Sequence, residues 1–170
     1  MNDTQLKDAA TVKSGVGVIV VKGKKVLIGK RKGSHGEGIC AFPGGHIEPD
    51  DDTLADCGQR EVFEETGIIS KVFSPDGYRD DLFTTYDILS EDGSKIYVTC
   101  YLIAEYLHGG EVLDNDHIKP LEADKCEYWE WVDIDTLVQR VTSKKQKEWI
   151  PLEKVIYYLK QMWKENELES

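Results

Sequence analysis

Hydrophobic residues form short runs of β-type character along the chain, separated by turns that contain glycine. Residues 15–21, GVGVIVV, are rich in β-branched side chains and predict a buried strand. Residues 26–29, VLIG, predict a second strand, and Gly23 between the two predicts a hairpin. Further strands are predicted over residues 40–42, 68–73, 81–89, 96–106 and 126–132.

Helical spacing appears in three segments. Residues 50–52 are three aspartates, which suit the N-cap of a helix predicted over residues 53–66 and closed by Gly67. Residues 133–140 predict a short helix, and residues 149–163 carry an apolar stripe with helical period. Strands with a few interspersed helices indicate an α/β or α+β fold, with a sheet packed against helices.

The composition narrows the class of protein. The chain has 170 residues, with 21 Lys and Arg against 32 Asp and Glu, a formal net charge of −11. Such an acidic chain disfavours nucleic acid and anionic membranes as partners. No apolar run reaches the length of a membrane span, and no CxxC pattern occurs, so we expect a soluble, cytoplasmic protein with reduced cysteines.

We expect one domain over residues 14–163. Residues 1–13 are polar and are predicted to be a flexible N-terminal segment, and residues 164–170 a C-terminal tail.

Three glutamates on the predicted helix over residues 53–66 are the main candidates for chemistry. Glu61, Glu64 and Glu65 are spaced at i, i+3 and i+4, which places their carboxylates within an arc of about 100° on one helix face. Their mutual repulsion costs helix stability, and a hard divalent cation such as Mg²⁺ (or Mn²⁺) offsets that cost. Arg60, four residues before Glu64, can orient a carboxylate.

This segment resembles the Nudix box, G-x5-E-x7-R-E-U-x-E-E-x-G-U, in which U is aliphatic. Residues 60–68, REVFEETGI, match every fixed position of its second half. The first half departs from the pattern, because counting back from Arg60 places Asp52 at the glutamate and His46 at the glycine. One inserted residue within the segment 48–52 instead places Gly45 at the box glycine.

A wider resemblance covers most of residues 15–160. The segments FPGGHIE at 42–48, WEW at 129–131 and WIPL at 149–152 are similar to the cytosolic MutT-like nucleoside-triphosphate diphosphatases of plants and animals. The resemblance implies a Nudix fold, a mixed sheet between helices, in a family whose members are often dimeric, so a homodimer is one expected assembly. It also implies that a nucleoside triphosphate, including oxidised forms, is hydrolysed to a monophosphate and pyrophosphate.

The resemblance carries residue roles as well. Glu61, Glu64 and Glu65 would be metal ligands, one of them a candidate for the general base, and Arg60 would orient them. The implied substrate contacts are Arg31 at a phosphate and Cys40, Phe42, Trp149 and Ile150 around the base, while the pair Gly44 and Gly45 lets the backbone approach phosphate or metal.

Two alternatives stay open from the sequence. The same chemistry could act on a dinucleoside polyphosphate, a nucleotide sugar or a prenyl diphosphate, and Tyr86 lies where dinucleoside-polyphosphate hydrolases often have a tyrosine. A protein of another class, a nucleotide-binding sensor, would keep the box for folding alone. His46 could contact phosphate or metal, or make a structural hydrogen bond.

Overall fold

One mixed sheet of eight strands organises the computed structural model, which describes residues 10–33, 38–74, 77–143, 155 and 157–161. The strands are β1 (Thr11–Lys22), β2 (Lys25–Arg31), β3 (Cys40–Ala41), β4 (Gly44–His46), β5 (Ile68–Val72), β6 (Asp81–Ile88), β7 (Lys95–Gly109) and β8 (Cys126–Asp133). Helix α1 (Leu54–Thr66) follows β4, and helix α2 (Ile134–Thr142) follows β8.

The sheet mixes one parallel pairing with antiparallel ones. Its main order is β3-β2-β1-β7-β5, with β4 paired to β1, β6 to β7 and β8 to β2. Strands β1 and β7 are parallel from Thr11 opposite Lys95 to Val21 opposite Glu105, and the other strand pairs are antiparallel. This arrangement confirms the predicted mixed sheet.

Alternating side chains divide the core between the two faces of the sheet. Val16, Val18 and Val20 belong to one buried cluster, which includes Val62 of α1, whereas Ile19 belongs to the other. The second cluster is covered by α2 and by the helical residues 157–161. Helices therefore cover both faces of the sheet, as predicted.

Both ends of α1 are capped by side-chain or backbone chemistry. Thr53 is the N-cap, and its hydroxyl accepts a hydrogen bond from the Asp56 backbone N–H at 3.1 Å. The prediction that residues 50–52 supply the cap is therefore wrong. Gly67 ends the helix at φ 72°, and its N–H donates to the Phe63 carbonyl at 2.8 Å, which confirms the predicted stop.

The structure differs from the sequence-based prediction at three strands. Strand β1 begins at Thr11, within the segment 1–13 that was predicted to be flexible, because parallel β7 supplies hydrogen-bond partners for these polar residues. Strand β7 extends to Gly109, three residues beyond its predicted end. Strand β4 was not predicted at all.

Of the predicted helix over 149–163, residue 155 and residues 157–161 are helical, and the others lie outside the described residues.

Two expectations from composition can be compared with the described residues. Cys40, Cys57, Cys100 and Cys126 are all free thiols. Among the described helices, none has both the length and the apolar character that a membrane span requires.

Candidate active site between helix α1 and strand β4

Strand β4 fits between β1 and α1 because its first two residues have no side chains. It pairs with β1 so that Gly44 faces Gly17 and His46 faces Gly15. A Cβ atom on Gly44 would overlap the Val16 carbonyl oxygen, and one on Gly45 would overlap the Glu61 carboxyl group. The glycines therefore let a strand backbone lie directly against the acidic face of the helix.

Two of the three glutamates point into this contact. The Glu61 side chain is 13% exposed, and the Gly44 N–H donates to the half-buried Glu65 carboxylate. Burial raises the pKa of Glu61, and burial together with the charge of Glu61 raises the pKa of Glu65 to about 8. The two acids thus share a partly desolvated space in which full ionisation is costly without a cation.

Glu64 lies at the rim of the same site. Its side chain is 47% exposed, and one oxygen is 3.2 Å from Arg60 Nη1. The three box glutamates are therefore not equivalent, since two face β4 and one faces solvent.

Arg60 joins the helix, the preceding loop and β4. Its Nε and Nη2 donate to the two oxygens of Asp51 at 2.9 and 2.8 Å. Nη1 donates to Glu61 at 3.0 Å, and Nη2 donates to the His46 carbonyl at 3.1 Å. The bidentate pair with the guanidinium holds the pKa of Asp51 well below its usual range.

Asp51, rather than Asp52, takes the place of the glutamate in the first half of the box. Five residues separate it from Gly45, as in the box, so the inserted residue lies between Asp51 and Arg60. The Glu48 N–H also donates to Asp51 at 2.8 Å, whereas Asp52 is exposed. The assignment of Asp52 to the box glutamate is therefore replaced by Asp51, and Gly45 is the box glycine.

Sequence reasoning missed a fourth carboxylate beside the site. The Leu121 N–H donates to the Glu65 carbonyl at 2.9 Å, which anchors the loop before β8 on the end of α1. The charge of Glu122 in this loop adds to the raised pKa of both Glu61 and Glu65. Lys125 Nζ forms an ion pair with Glu122 Oε2 at 3.2 Å. No local pattern in the sequence distinguishes Glu122 from the other acidic residues of the chain.

Tyr97 of β7 is a second residue that the sequence did not single out. Its ring lies edge-on to His46, with 5.5 Å between centroids. Burial raises the pKa of the Tyr97 phenol, and the charge of Glu61 raises it further. An isolated tyrosine in a strand carries no sequence signal that would distinguish it from a packing residue.

The predicted substrate residues lie in different places. Arg31 ends β2, and the next residue, Lys32, donates from its backbone N–H to the Lys125 carbonyl at 2.8 Å, so this strand end adjoins the Glu122 loop. Cys40 is buried in the core on the face opposite α1, and Phe42 packs against the same cluster. Trp149 and Ile150 lie outside the described residues.

The donor set fits a hard divalent cation that is shared with substrate. Glu61 and Glu65 place partly desolvated oxygens beside a glycine backbone, and Glu64 stands at the rim. Within the described ranges, no group of three or more His, Cys, Asp or Glu side chains is placed to hold a metal ion. Mg²⁺ usually takes one or two carboxylates and completes its shell with water and phosphate oxygens, so Glu61 and Glu65 would suffice as its protein ligands.

The chain is similar to known proteins in sequence and in fold. A family model described as the NUDIX domain matches residues 11–162. An ADP-ribose pyrophosphatase from Methanocaldococcus jannaschii is 33% identical over 104 residues, which are 61% of this chain and 56% of that protein. This chain thus aligns with little more than half the length of that relative.

Solved structures share the fold. A MutT NUDIX hydrolase from Burkholderia pseudomallei superposes with a TM-score of 0.58 at 21% identity, over 74% of this chain and 86% of that one. A NUDIX family hydrolase from Clostridium perfringens superposes with a TM-score of 0.63 at 16% identity, over 88% and 97%.

Proposed function

The chain belongs to the Nudix family, and on that premise we propose that it hydrolyses a diphosphate linkage in a small nucleotide with the aid of Mg²⁺ or Mn²⁺. The observation that carries the proposal is the contact between two partly buried carboxylates, Glu61 and Glu65, and the glycine backbone of β4. A site that only stabilises the fold has no need to bury two like charges together.

The glutamates of α1 would bind the cation, and the glycine backbone of β4 would lie beside the phosphates. Glu61 and Glu65, with Glu64 at the rim, would hold the cation, which when bound neutralises diphosphate charge and activates water. Arg60 fixes the orientation of Glu61 and Glu64 through its hydrogen bonds. Gly44 and Gly45 let the strand backbone lie directly against Glu61 and Glu65, beside which the phosphates would bind.

We propose a nucleoside triphosphate as the first substrate, cut to a monophosphate and pyrophosphate, with the removal of oxidised or otherwise altered nucleotides as the cellular role. The support is the sequence similarity at residues 42–48 and 129–131 to diphosphatases of this kind. The second candidate is ADP-ribose, and its support is the 33% identity to the archaeal ADP-ribose pyrophosphatase. Both substrates contain a nucleoside diphosphate unit, and they differ in the leaving group.

Product analysis separates the two candidates. Purified protein is incubated with Mg²⁺ or EDTA and with natural and oxidised nucleoside triphosphates, ADP-ribose, dinucleoside polyphosphates and prenyl diphosphates. Metal-dependent release of pyrophosphate from a triphosphate supports the first substrate. Release of AMP and ribose 5-phosphate supports ADP-ribose. Nucleotide binding without turnover on any compound would refute the hydrolase and favour a sensor.

Variants test the site itself. We expect Glu65→Gln and Glu61→Gln to lower kcat by at least about 100-fold, because each removes a charged metal ligand from a site that depends on metal chemistry. Glu91→Gln, in the exposed turn between β6 and β7, is the matched control and should retain full activity. Near-normal turnover in both Glu61→Gln and Glu65→Gln would refute the assignment of the metal site to these residues.

A further inference from the structure

The two faces of β4 carry different chemistry. Neighbouring residues of a strand point to opposite sides. Gly45 opens toward Glu61 on the α1 side, whereas His46 pairs with Gly15 and its ring meets Tyr97. A ligand bound at the glutamates and extending across this three-residue strand therefore reaches the rings of His46 and Tyr97.

The Tyr97 hydroxyl reaches the edge of β4 because Gly15 has no side chain. Both the Tyr97 Oη and the Gly45 carbonyl oxygen lie where a Cβ atom on residue 15 would stand. The phenol therefore crosses over Gly15 and ends beside the same backbone that lies against Glu61. Burial raises the pKa of this phenol, and the charge of Glu61 raises it further.

The hydroxyl of Tyr97 also differs from those of two neighbouring tyrosines on β7. The Tyr106 hydroxyl donates to the Gly109 carbonyl at 3.1 Å, and the Tyr101 hydroxyl is hydrogen-bonded to Thr85. Within the described part of the chain, Tyr97 donates no such bond, although it is half-buried. The hydroxyl of a half-buried phenol can donate a hydrogen bond to an oxygen of a bound ligand that displaces water from it.

We propose that Tyr97 is a substrate-binding residue, whose hydroxyl donates a hydrogen bond to a phosphate or sugar oxygen of the nucleotide where the ligand crosses β4. His46 supports the ring edge-on and limits its rotation. This inference rests on the proposed function, because it needs a nucleotide at the glutamates. It assigns the β7 side of β4 to the substrate and the α1 side to the metal.

Kinetics of Tyr97→Phe test the proposal. The variant keeps the ring and its packing and removes only the hydroxyl, so we expect KM to rise by about 10- to 100-fold, as for the loss of a hydrogen bond to a charged group, with kcat changed by less than about threefold. Tyr106→Phe is the matched control from the same strand and should keep both constants. An unchanged KM in Tyr97→Phe, or a fall in kcat together with a lower Tm, would overturn the proposal, since the latter indicates a structural role.

A binding measurement separates this inference from the proposed function. Calorimetric titration with ADP and Mg²⁺ requires no turnover. Weaker binding by Tyr97→Phe than by wild type and Tyr106→Phe supports the assignment even if no substrate in the panel is hydrolysed. Equal affinity in all three proteins, or no binding by any of them, would overturn it.

Discussion

Replacing Glu65 with glutamine is expected to stabilise the metal-free protein while it destroys metal binding. The Glu65 carboxyl group has a pKa of about 8, against an ordinary value of 4.5. At pH 7 the Glu65 carboxyl group is ionised in the unfolded chain and protonated in the folded one. This pH lies 2.5 units above the ordinary pKa of 4.5. At about 1.4 kcal/mol per unit the upper bound on the destabilisation is about 3.5 kcal/mol. Because the side chain is half-buried and water reaches part of it, we expect about 1–2 kcal/mol.

The sign of the effect follows from proton linkage. Below pH 4.5 both states of wild type are protonated at Glu65, so the variant gains nothing. Between pH 4.5 and 8 the folded state holds more protons than the unfolded state, and the stability of wild type falls relative to Glu65→Gln. Above pH 8 the advantage of the variant is constant.

Urea unfolding in EDTA at a series of pH values measures this difference directly. Mg²⁺ should reverse the order of stability, because wild type gains binding free energy that the variant lacks. Glu64→Gln is the control, since that side chain is 47% exposed and its loss removes only an ion pair worth up to about 1 kcal/mol. A Glu65→Gln protein that is no more stable than wild type at pH 8 in EDTA, or whose advantage is the same at pH 4, would refute the reasoning.

Three further predictions concern residues that position α1 and β4 around the site. Asp51→Asn should lower the free energy of unfolding by about 2 kcal/mol at pH 7, and the difference should shrink below pH 4 as the depressed pKa of Asp51 is approached, measured by urea unfolding. Gly45→Ala should weaken Mg²⁺ binding at least about tenfold in a calorimetric titration, because its Cβ would displace the Glu61 carboxylate, and unchanged affinity would contradict the close approach. Thr53→Ala should cost about 1 kcal/mol in thermal unfolding, and Thr53→Ser should restore it.

The helix that carries the glutamates could be predicted from sequence because its signals are local. The spacing of Glu61, Glu64 and Glu65 and the terminal Gly67 lie within one helix and its stop. Trp129 and Trp131 lie two apart on β8 and so share one face of the sheet, where Trp129 is buried in the core on the α1 side and Trp131 packs against the same cluster. Such patterns depend only on neighbours within a few residues, so no knowledge of the fold is needed.

The other half of the site depends on contacts between distant segments. Strand β4 contains only Gly44, Gly45 and His46, whose strand propensity is low, and it exists because β1 offers a pairing edge. Tyr97 acquires its position from the same sheet, 51 residues beyond His46. No local period in the sequence reports such pairings.

The loop before α1 shows why fixed spacing misled the prediction. Arg60 needs a carboxylate within hydrogen-bond reach, and Asp51 provides it after one extra residue in the loop. A count along the sequence selected Asp52 instead. The hydrogen bonds of the guanidinium, rather than the number of residues, determine which aspartate is used.

The parallel pairing of β1 with β7 sets the order in which this protein can be assembled during synthesis. Thr11 meets Lys95, so residues that pair in these two strands lie 84 positions apart in the sequence. The hairpin of β1 with β2 can close early, whereas the central contact of the sheet waits until β7 has left the ribosome, and contacts of such long range slow folding. Because β4 rests on β1 and Tyr97 arrives with β7, the site cannot be completed before β7 has paired with β1.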